Sequence, residues 1–162
     1  MFLKRSLVQI CLGLFVLMAA CAASAAEFEI KEFPLEREGV RLFLQRMEVP
    51  GEATGGQILL VHGLTFASHE FDLNFKDYSL ARFLAGQVFS VWMLDIAGHS
   101  RSGVVEDGFM PDSDYAAEAI HAVVDLILNE CQAPKIKITG WSWGTGESGH
   151  VAPQSHYHNS PL

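Results

Sequence analysis

The stretch Gly140-Trp141-Ser142-Trp143-Gly144 decides the fold, because it directly follows the β-rich stretch 135–139. It has the pattern G-x-S-x-G at the end of a short strand. A serine in a sharp strand-to-helix turn adopts strained backbone geometry, and flanking glycines let the neighbouring chain pass close to it. We therefore expect Ser142 to lie between a strand and a helix, with its hydroxyl group presented at the top of a sheet.

The segment 1–26 has the pattern of a secretory signal. Lys4 and Arg5 form a positive start, residues 7–20 form an apolar run, and residues 22–26 are small, as a signal peptidase requires. The run is too short for a membrane-spanning helix, so we expect no stable membrane span. The predicted location is therefore exported, either periplasmic or secreted.

Cys21 offers an alternative to free export. Residues 17–21, Leu-Met-Ala-Ala-Cys, loosely match the motif at which a lipoprotein is cleaved and lipidated on cysteine, although methionine fits poorly at position 18. A lipid anchor at Cys21 is therefore kept as the second prediction for localisation.

The chain is acidic, with 11 Lys and Arg residues against 19 Asp and Glu residues and a formal net charge of −8. An acidic surface repels phosphate groups, which excludes nucleic acid as a partner. Of the 3 cysteines, only Cys131 follows the predicted signal, so no intramolecular disulfide is expected. Cys131 ends an apolar helical pattern, and we interpret it as a core residue and not as a nucleophile.

Strand and helix patterns alternate along the rest of the chain, which is typical of a parallel sheet with helices on both faces. A polar turn at 36–39 separates the first two strand patterns and predicts an antiparallel pair. The predicted elements are strands at 28–33, 40–49, 58–61, 88–94 and 136–139, and helices at 77–85 and from 112 to 131.

Three local details accompany these elements. Leu80, Phe83 and Leu84 have helical spacing and predict the buried face of the first helix. Gly86 follows at the position of a C′ glycine, which ends a helix. The alternation of the second strand slips near Arg46, which predicts a bulge or the end of that strand.

Two further motifs precede the serine. His62-Gly63 follows the predicted strand 58–61, and residues 95–103, Asp-Ile-Ala-Gly-His-Ser-Arg-Ser-Gly, follow the next strand. The second motif resembles the loop D-x-x-G-x-G-x-S, with Ser100 where glycine is usual. Together with G-x-S-x-G in this order, the two motifs resemble the α/β-hydrolase superfamily over residues 28–146.

The resemblance implies an α/β fold: the first five strands of a mostly parallel α/β-hydrolase sheet, with helices on both faces and incomplete at the C-terminus. We expect residues 27–146 to form this N-terminal part of the domain and residues 147–162 to form a polar, disordered tail. The helix after such a serine should be long and apolar, whereas the tail is rich in proline, histidine and serine. We therefore interpret the chain as truncated or frameshifted close to Gly146.

The resemblance also implies acyl transfer from a small-molecule ester, thioester or amide to water, with Ser142 as the nucleophile and with no cofactor or metal. The backbone amides of Leu64 and Trp143 would form the oxyanion hole. Asp95 and Ser102 are expected to be structural. The residues expected to support the two loops are His62, Gly63, Gly140 and Gly144.

The histidine and the acid of a catalytic triad are unknown, because in this family both follow the nucleophile by many residues. His150 follows Ser142 at a distance of about 12 Å along a helix that leads away from the hydroxyl group. His156 and His158 lie in the predicted tail, and two ligands without a third do not define a metal site. The alternative to a serine hydrolase is therefore a non-catalytic truncated product of a hydrolase gene.

Export is testable at the N-terminus of the mature protein. We predict cleavage after Ala25 or Ala26, because both follow the apolar run within a stretch of small residues. N-terminal sequencing of secreted protein should then begin at Ala26 or Glu27. A lipidated Cys21 as first residue would establish the membrane anchor instead, and an uncleaved Met1 in the cytoplasm would contradict export.

Overall fold

The computed structural model describes residues 27–106 and 112–151, which form a five-stranded sheet flanked by helices. The predicted signal and the chain beyond residue 151 lie outside the described residues. The strands are β1 (Glu29–Arg37), β2 (Val40–Glu48), β3 (Gln57–Val61), β4 (Ser90–Asp95) and β5 (Ile136–Gly140). The helices are a 3-10 helix (Ser68–Phe71), α1 (Leu80–Gly86), α2 (Ser113–Cys131) and α3 (Trp143–Val151).

The sheet has the strand order β1-β2-β4-β3-β5. β3 pairs in parallel with both β4 and β5, while β2 is antiparallel to both β1 and β4. The predicted α/β architecture is thus confirmed as a mixed sheet, with parallel strands β4, β3 and β5 joined to an antiparallel hairpin. β5, which leads to Ser142, is an edge strand in the described part of the chain.

β1 and β2 form the predicted antiparallel pair, but β1 extends to Arg37, and the turn consists of Glu38 and Gly39 alone. Both turn residues have a positive φ, of 52° and 77°. A two-residue turn of type I′ requires this conformation, and its twist matches that of the flanking strands. The predicted turn at 36–39 is therefore too long.

The bulge predicted near Arg46 is wrong, because the pairing with β1 continues without interruption, and the strand ends two residues later, at Glu48. β2 lies between β1 and β4 and is covered on both faces. Phe43 and Gln45 are therefore buried as well as Leu44. Burial on both faces explains why the alternation of apolar and polar residues fails in this strand.

Helices cover both faces of the sheet, as predicted. On one face, Ile120 of α2 belongs to a core cluster with Leu59 and Trp92. On the other face, Ala81 of α1 belongs to a cluster with Leu60. Successive residues of β3 and β4 thus contribute to opposite cores, as the two-residue period of a strand requires.

α2 begins and packs as the sequence predicts. The carboxylate of Asp112, its N-cap residue, accepts a hydrogen bond from the Tyr115 amide at 2.9 Å. Cys131 packs half-buried against the core at the end of the helix. Burial raises the pKa of its thiol, partly offset by Arg46, which agrees with a core residue and not with a nucleophile. The buried face consists of Ala116, Ile120, Val123, Val124 and Ile127.

The predicted buried face of α1 is wrong. Leu80 and Phe83 are 40% and 62% exposed, and the helix buries Ala81 and Ala85 instead. Small side chains let this short helix approach the sheet closely, which leaves the larger ones on the outside. Of the predicted set, Leu84 alone is packed partly buried against the core cluster.

The C-terminus of α1 also differs from the prediction, because Gly86 is its last helical residue and not its C′ residue. Val88 occupies the C′ position with a φ of 66°. The amides of Val88 and Phe89 donate to the carbonyl groups of Ala85 and Leu84 at 3.1 and 3.3 Å, which is the Schellman arrangement. A β-branched residue is thus held in the left-handed region that glycine favours.

α3 continues past the predicted domain boundary at Gly146 and ends at Val151. The Ser148 hydroxyl donates a hydrogen bond to the Gly144 carbonyl oxygen at 2.6 Å. Glu147 is buried as well, and its Oε2 has no hydrogen-bond partner among the described residues. The start of the predicted disordered tail is therefore helical, although the helix buries an unpaired carboxylate oxygen, which is unfavourable.

Val88→Gly should stabilise the protein. The substitution removes the cost of a left-handed side chain, about 1–2 kcal/mol, against a loss of about 0.5–1 kcal/mol in backbone entropy. The free energy of unfolding, measured in urea, should therefore increase by about 0.5–1 kcal/mol. Gln87→Gly is the matched control, because Gln87 has a φ of −95° and gains nothing from glycine. Equal effects of both substitutions would contradict the prediction.

Candidate active site

Ser142 lies at the turn between β5 and α3, with a φ of 54° and an exposed side chain. Two glycines permit this turn. A Cβ atom at Gly144 would lie 2.5 Å from the Val61 carbonyl oxygen, and one at Gly140 would overlap the backbone of Gly144. The structure therefore shows the strained strand-to-helix turn that the G-x-S-x-G pattern predicts.

The loop after β3 lies against Ser142. A Cβ atom at Gly63 would be 3.3 Å from the Ser142 Cβ atom, so the two loops are in contact. In the described part of the chain, no residue accepts a hydrogen bond from the backbone amides of Leu64 and Trp143. The two predicted oxyanion donors thus have no acceptor among the described residues, and their catalytic role stays a prediction.

His62 is a buried hydrogen-bonding residue that supports the loop, as predicted. Its Nε2 accepts a hydrogen bond from the Ile96 amide at 3.0 Å, so its Nδ1 carries the proton and donates to the Gly63 carbonyl oxygen at 2.8 Å. Burial lowers the pKa of the imidazole, an effect that the Gly63 contact opposes. Both ring nitrogens are therefore occupied, and His62 has no nitrogen free to accept a proton from a serine.

Asp95 and Ser102 hold the loop after β4 in place. The buried Asp95 carboxylate accepts hydrogen bonds from the Ser68 and Arg101 amides at 2.7 and 3.1 Å. The Ser102 hydroxyl donates to the Asp95 carbonyl oxygen and accepts from the Phe43 amide at 2.7 Å. Both residues thus have the structural roles that were expected of them.

Ser100 departs from the glycine that is usual in this loop, and the structure shows the consequence. Its φ is 41°, in the left-handed region where glycine is favoured. The loop still closes, because the Gly98 amide donates to the Gly103 carbonyl oxygen at 2.8 Å. The loop therefore keeps its closed conformation, and Ser100 adopts a strained backbone conformation within it.

Glu70 and His99 contact the site but were not predicted from the sequence. Glu70 Oε1 accepts a hydrogen bond from the Gly63 amide at 3.1 Å, and His99 Nε2 donates to the Leu64 carbonyl oxygen at 2.7 Å. Burial raises the pKa of Glu70, opposed by the Gly63 hydrogen bond and by His69. His99 belongs to a quoted motif, but its contact with Leu64 is long-range and has no signal in the sequence.

The Ser142 hydroxyl forms no hydrogen bond with any described residue, so none of the described histidines or carboxylates is its partner. His150 lies in α3, while His156 and His158 lie outside the described residues. Within residues 27–106 and 112–151, no three His, Cys, Asp or Glu side chains are placed to hold a metal ion. None of the helices in the same segments has the length and apolar character needed to cross a membrane.

Comparison with known proteins identifies the family. Residues 56–159 match the model of the α/β-hydrolase fold family, which is more than half of the 162-residue chain. The match includes the loop after β3, the loop after β4 and the turn at Ser142. The chain therefore belongs to the α/β-hydrolase fold family. No curated protein matches its sequence.

Solved hydrolase structures share the fold. A predicted CIB-like hydrolase from Thermoplasma acidophilum is 25% identical, with a TM-score of 0.60 and with 79% of this chain and 58% of that chain covered. The thioesterase domain from the curacin biosynthetic pathway is 22% identical, with a TM-score of 0.61 and coverages of 76% and 41%. An epoxide hydrolase from Vigna radiata is 14% identical, with a TM-score of 0.60 and coverages of 77% and 36%. The chain thus spans 36% to 58% of the length of these three proteins.

Proposed function

We propose that this chain is the N-terminal part of an exported serine hydrolase, which transfers the acyl group of a small-molecule ester, thioester or amide to water through Ser142. The observation that carries the proposal is the turn itself. An exposed serine has a φ of 54° between two glycines whose Cβ positions are blocked by backbone atoms. Backbone strain of this kind is enriched at active sites, and here it presents a hydroxyl group to solvent.

The chemistry follows from the groups beside the hydroxyl. Ser142 Oγ would attack the carbonyl carbon and transfer its proton to a base, and the carbonyl oxygen would become an oxyanion. The amides of Leu64 and Trp143 donate no hydrogen bond to any described residue, and they belong to the two loops that are in contact at Ser142. Two such donors would lower the barrier by about 3 kcal/mol or more. The leaving alcohol, thiol or amine would take up the proton, and water would then hydrolyse the acyl-serine.

The base and its orienting acid would come from a part of the protein that follows the described residues, as the order of the family's triad implies. Without them, oxyanion binding and substrate positioning alone would give about 10³- to 10⁴-fold acceleration over water. We therefore expect the isolated chain to retain only this residual activity.

A second candidate is a non-catalytic product of a hydrolase gene, without the triad acid and histidine. Glu147 supports it, because its Oε2 is buried without a hydrogen-bond partner among the described residues, in the helix that should hold the serine turn. A working site requires that this helix be well packed. A buried carboxylate oxygen without a hydrogen-bond partner costs stability at that place.

Labelling with a fluorophosphonate probe distinguishes the two candidates. The intact chain should gain one phosphonyl group, slowly, by mass spectrometry, and Ser142→Ala should gain none. Ser148→Ala is the matched control, because Ser148 is buried in the same helix, and its loss should leave labelling unchanged. Equal labelling of the intact chain and Ser142→Ala would refute the assignment of Ser142. No labelling of either would favour the non-catalytic product.

A further inference from the structure

Three side chains from different parts of the chain hold the segment 62–65. Glu70 belongs to the 3-10 helix, His62 directly follows β3, and His99 belongs to the loop after β4. Each forms a hydrogen bond with a different one of the three successive peptide groups in this segment. The backbone of the segment is thus fixed at every peptide group.

The middle peptide group, between Gly63 and Leu64, contains the amide that is the predicted oxyanion donor. Its carbonyl oxygen, on Gly63, accepts hydrogen bonds from His62 Nδ1 at 2.8 Å and from the Phe66 amide at 3.1 Å. In a planar trans peptide, the N–H bond points opposite to the C=O bond. These two hydrogen bonds therefore fix the direction of the Leu64 N–H bond.

The peptide groups on either side hold the Cα atoms of Gly63 and Leu64, between which the middle group lies. The Gly63 amide donates to Glu70 Oε1 at 3.1 Å, and the Leu64 carbonyl oxygen accepts from His99 Nε2 at 2.7 Å. Rotation of the middle group about the axis through its two Cα atoms is opposed by the hydrogen bonds to the Gly63 carbonyl oxygen, and the contacts of Glu70 and His99 hold the two Cα atoms that define this axis. Glycine at position 63 would otherwise make such rotation easy.

We propose that Glu70 and His99 are positioning residues, which hold the Leu64 amide in the direction that an oxyanion beside Ser142 requires. The proposal rests on the proposed serine hydrolase function. A donor held in place before the reaction needs no reorganisation as charge develops, and this is the source of oxyanion stabilisation. Both residues act through the backbone and need not touch the substrate.

The first test is structural and does not depend on catalysis. Amide hydrogen exchange of the full chain, followed by NMR, should show protection of Gly63 that is lost in Glu70→Ala and kept in Glu70→Gln, whose amide oxygen can still accept. The Leu64 amide signal should shift in His99→Ala and return in His99→Gln. His69→Ala is the matched control, because His69 is an exposed neighbour of Glu70 in the same 3-10 helix. Ser142→Ala should leave both signals unchanged.

The second test measures the residual hydrolysis of p-nitrophenyl acetate by the same variants. Glu70→Ala and His99→Ala should each lower the rate at least about tenfold, because a misdirected donor loses part of the 10²- to 10³-fold effect of an oxyanion donor. The Gln variants and His69→Ala should remain within about threefold of the unmodified chain.

The outcomes separate this proposal from the proposed function. Unchanged Gly63 protection in Glu70→Ala and an unchanged Leu64 signal in His99→Ala would overturn the positioning roles, whatever the hydrolysis rates. The same conclusion would follow if Glu70→Gln lost as much Gly63 protection as Glu70→Ala, and if His99→Gln shifted the Leu64 signal as far as His99→Ala. If the fluorophosphonate probe labels the intact chain and Ser142→Ala equally while the NMR effects appear, the nucleophile assignment fails and the positioning roles stand.

Discussion

The close approach of α3 to the end of β3 is the constraint on which the rest of the structure depends. A Cβ atom at Gly144 would lie 2.5 and 2.6 Å from the carbonyl oxygens of Val61 and His62, so only glycine permits this approach. The Trp141 amide donates to the same Val61 oxygen at 3.0 Å. Both contacts use backbone atoms alone and bring the turn at Ser142 onto the loop after β3. The position of the serine is therefore set by the packing of a strand end and a helix start.

Buried polar groups complete this end of the sheet. His62 bridges the ends of β3 and β4 through the Ile96 amide, and Asp95 holds the Ser68 amide from the 3-10 helix. Each buried polar atom in these contacts has a partner, so the network fixes the loops instead of destabilising the core. The loops around Ser142 are consequently held by residues that would take no part in the reaction. The side chains of His62, His99, Glu70 and Asp95 are thus all engaged with backbone groups of these loops.

The succession of strands and helices along the chain, the long helix α2 and the serine turn were predictable, because continuous apolar runs, the Asp112 cap and G-x-S-x-G are local signals. Leu80 and Phe83 were misassigned because helical spacing identifies an apolar face but not which side of a short helix meets the sheet. The conformation of Val88 depends on where α1 ends. The sequence predicted Gly86 as the C′ residue, which is two positions before the actual C′ residue, Val88. In the site, the contacts of Glu70 and His99 with the loop after β3 require the folded arrangement of three segments. No sequence pattern within a single segment predicts these contacts. The roles of His62 and the glycines, in contrast, could be predicted from the motifs that contain them.

The contact between α3 and the end of β3 is tested most directly by the free energy of unfolding of Gly144→Ala compared with Gly146→Ala, measured in urea on the full chain. Both glycines belong to α3, but a Cβ atom at Gly146 would meet nothing within 4 Å. Gly146→Ala should stabilise the chain by up to about 1 kcal/mol, because alanine is the better helix former. Gly144→Ala should destabilise it by about 3 kcal/mol, because β3 and α3 must move apart. Two variants of equal stability would contradict the claim that this contact holds the site together.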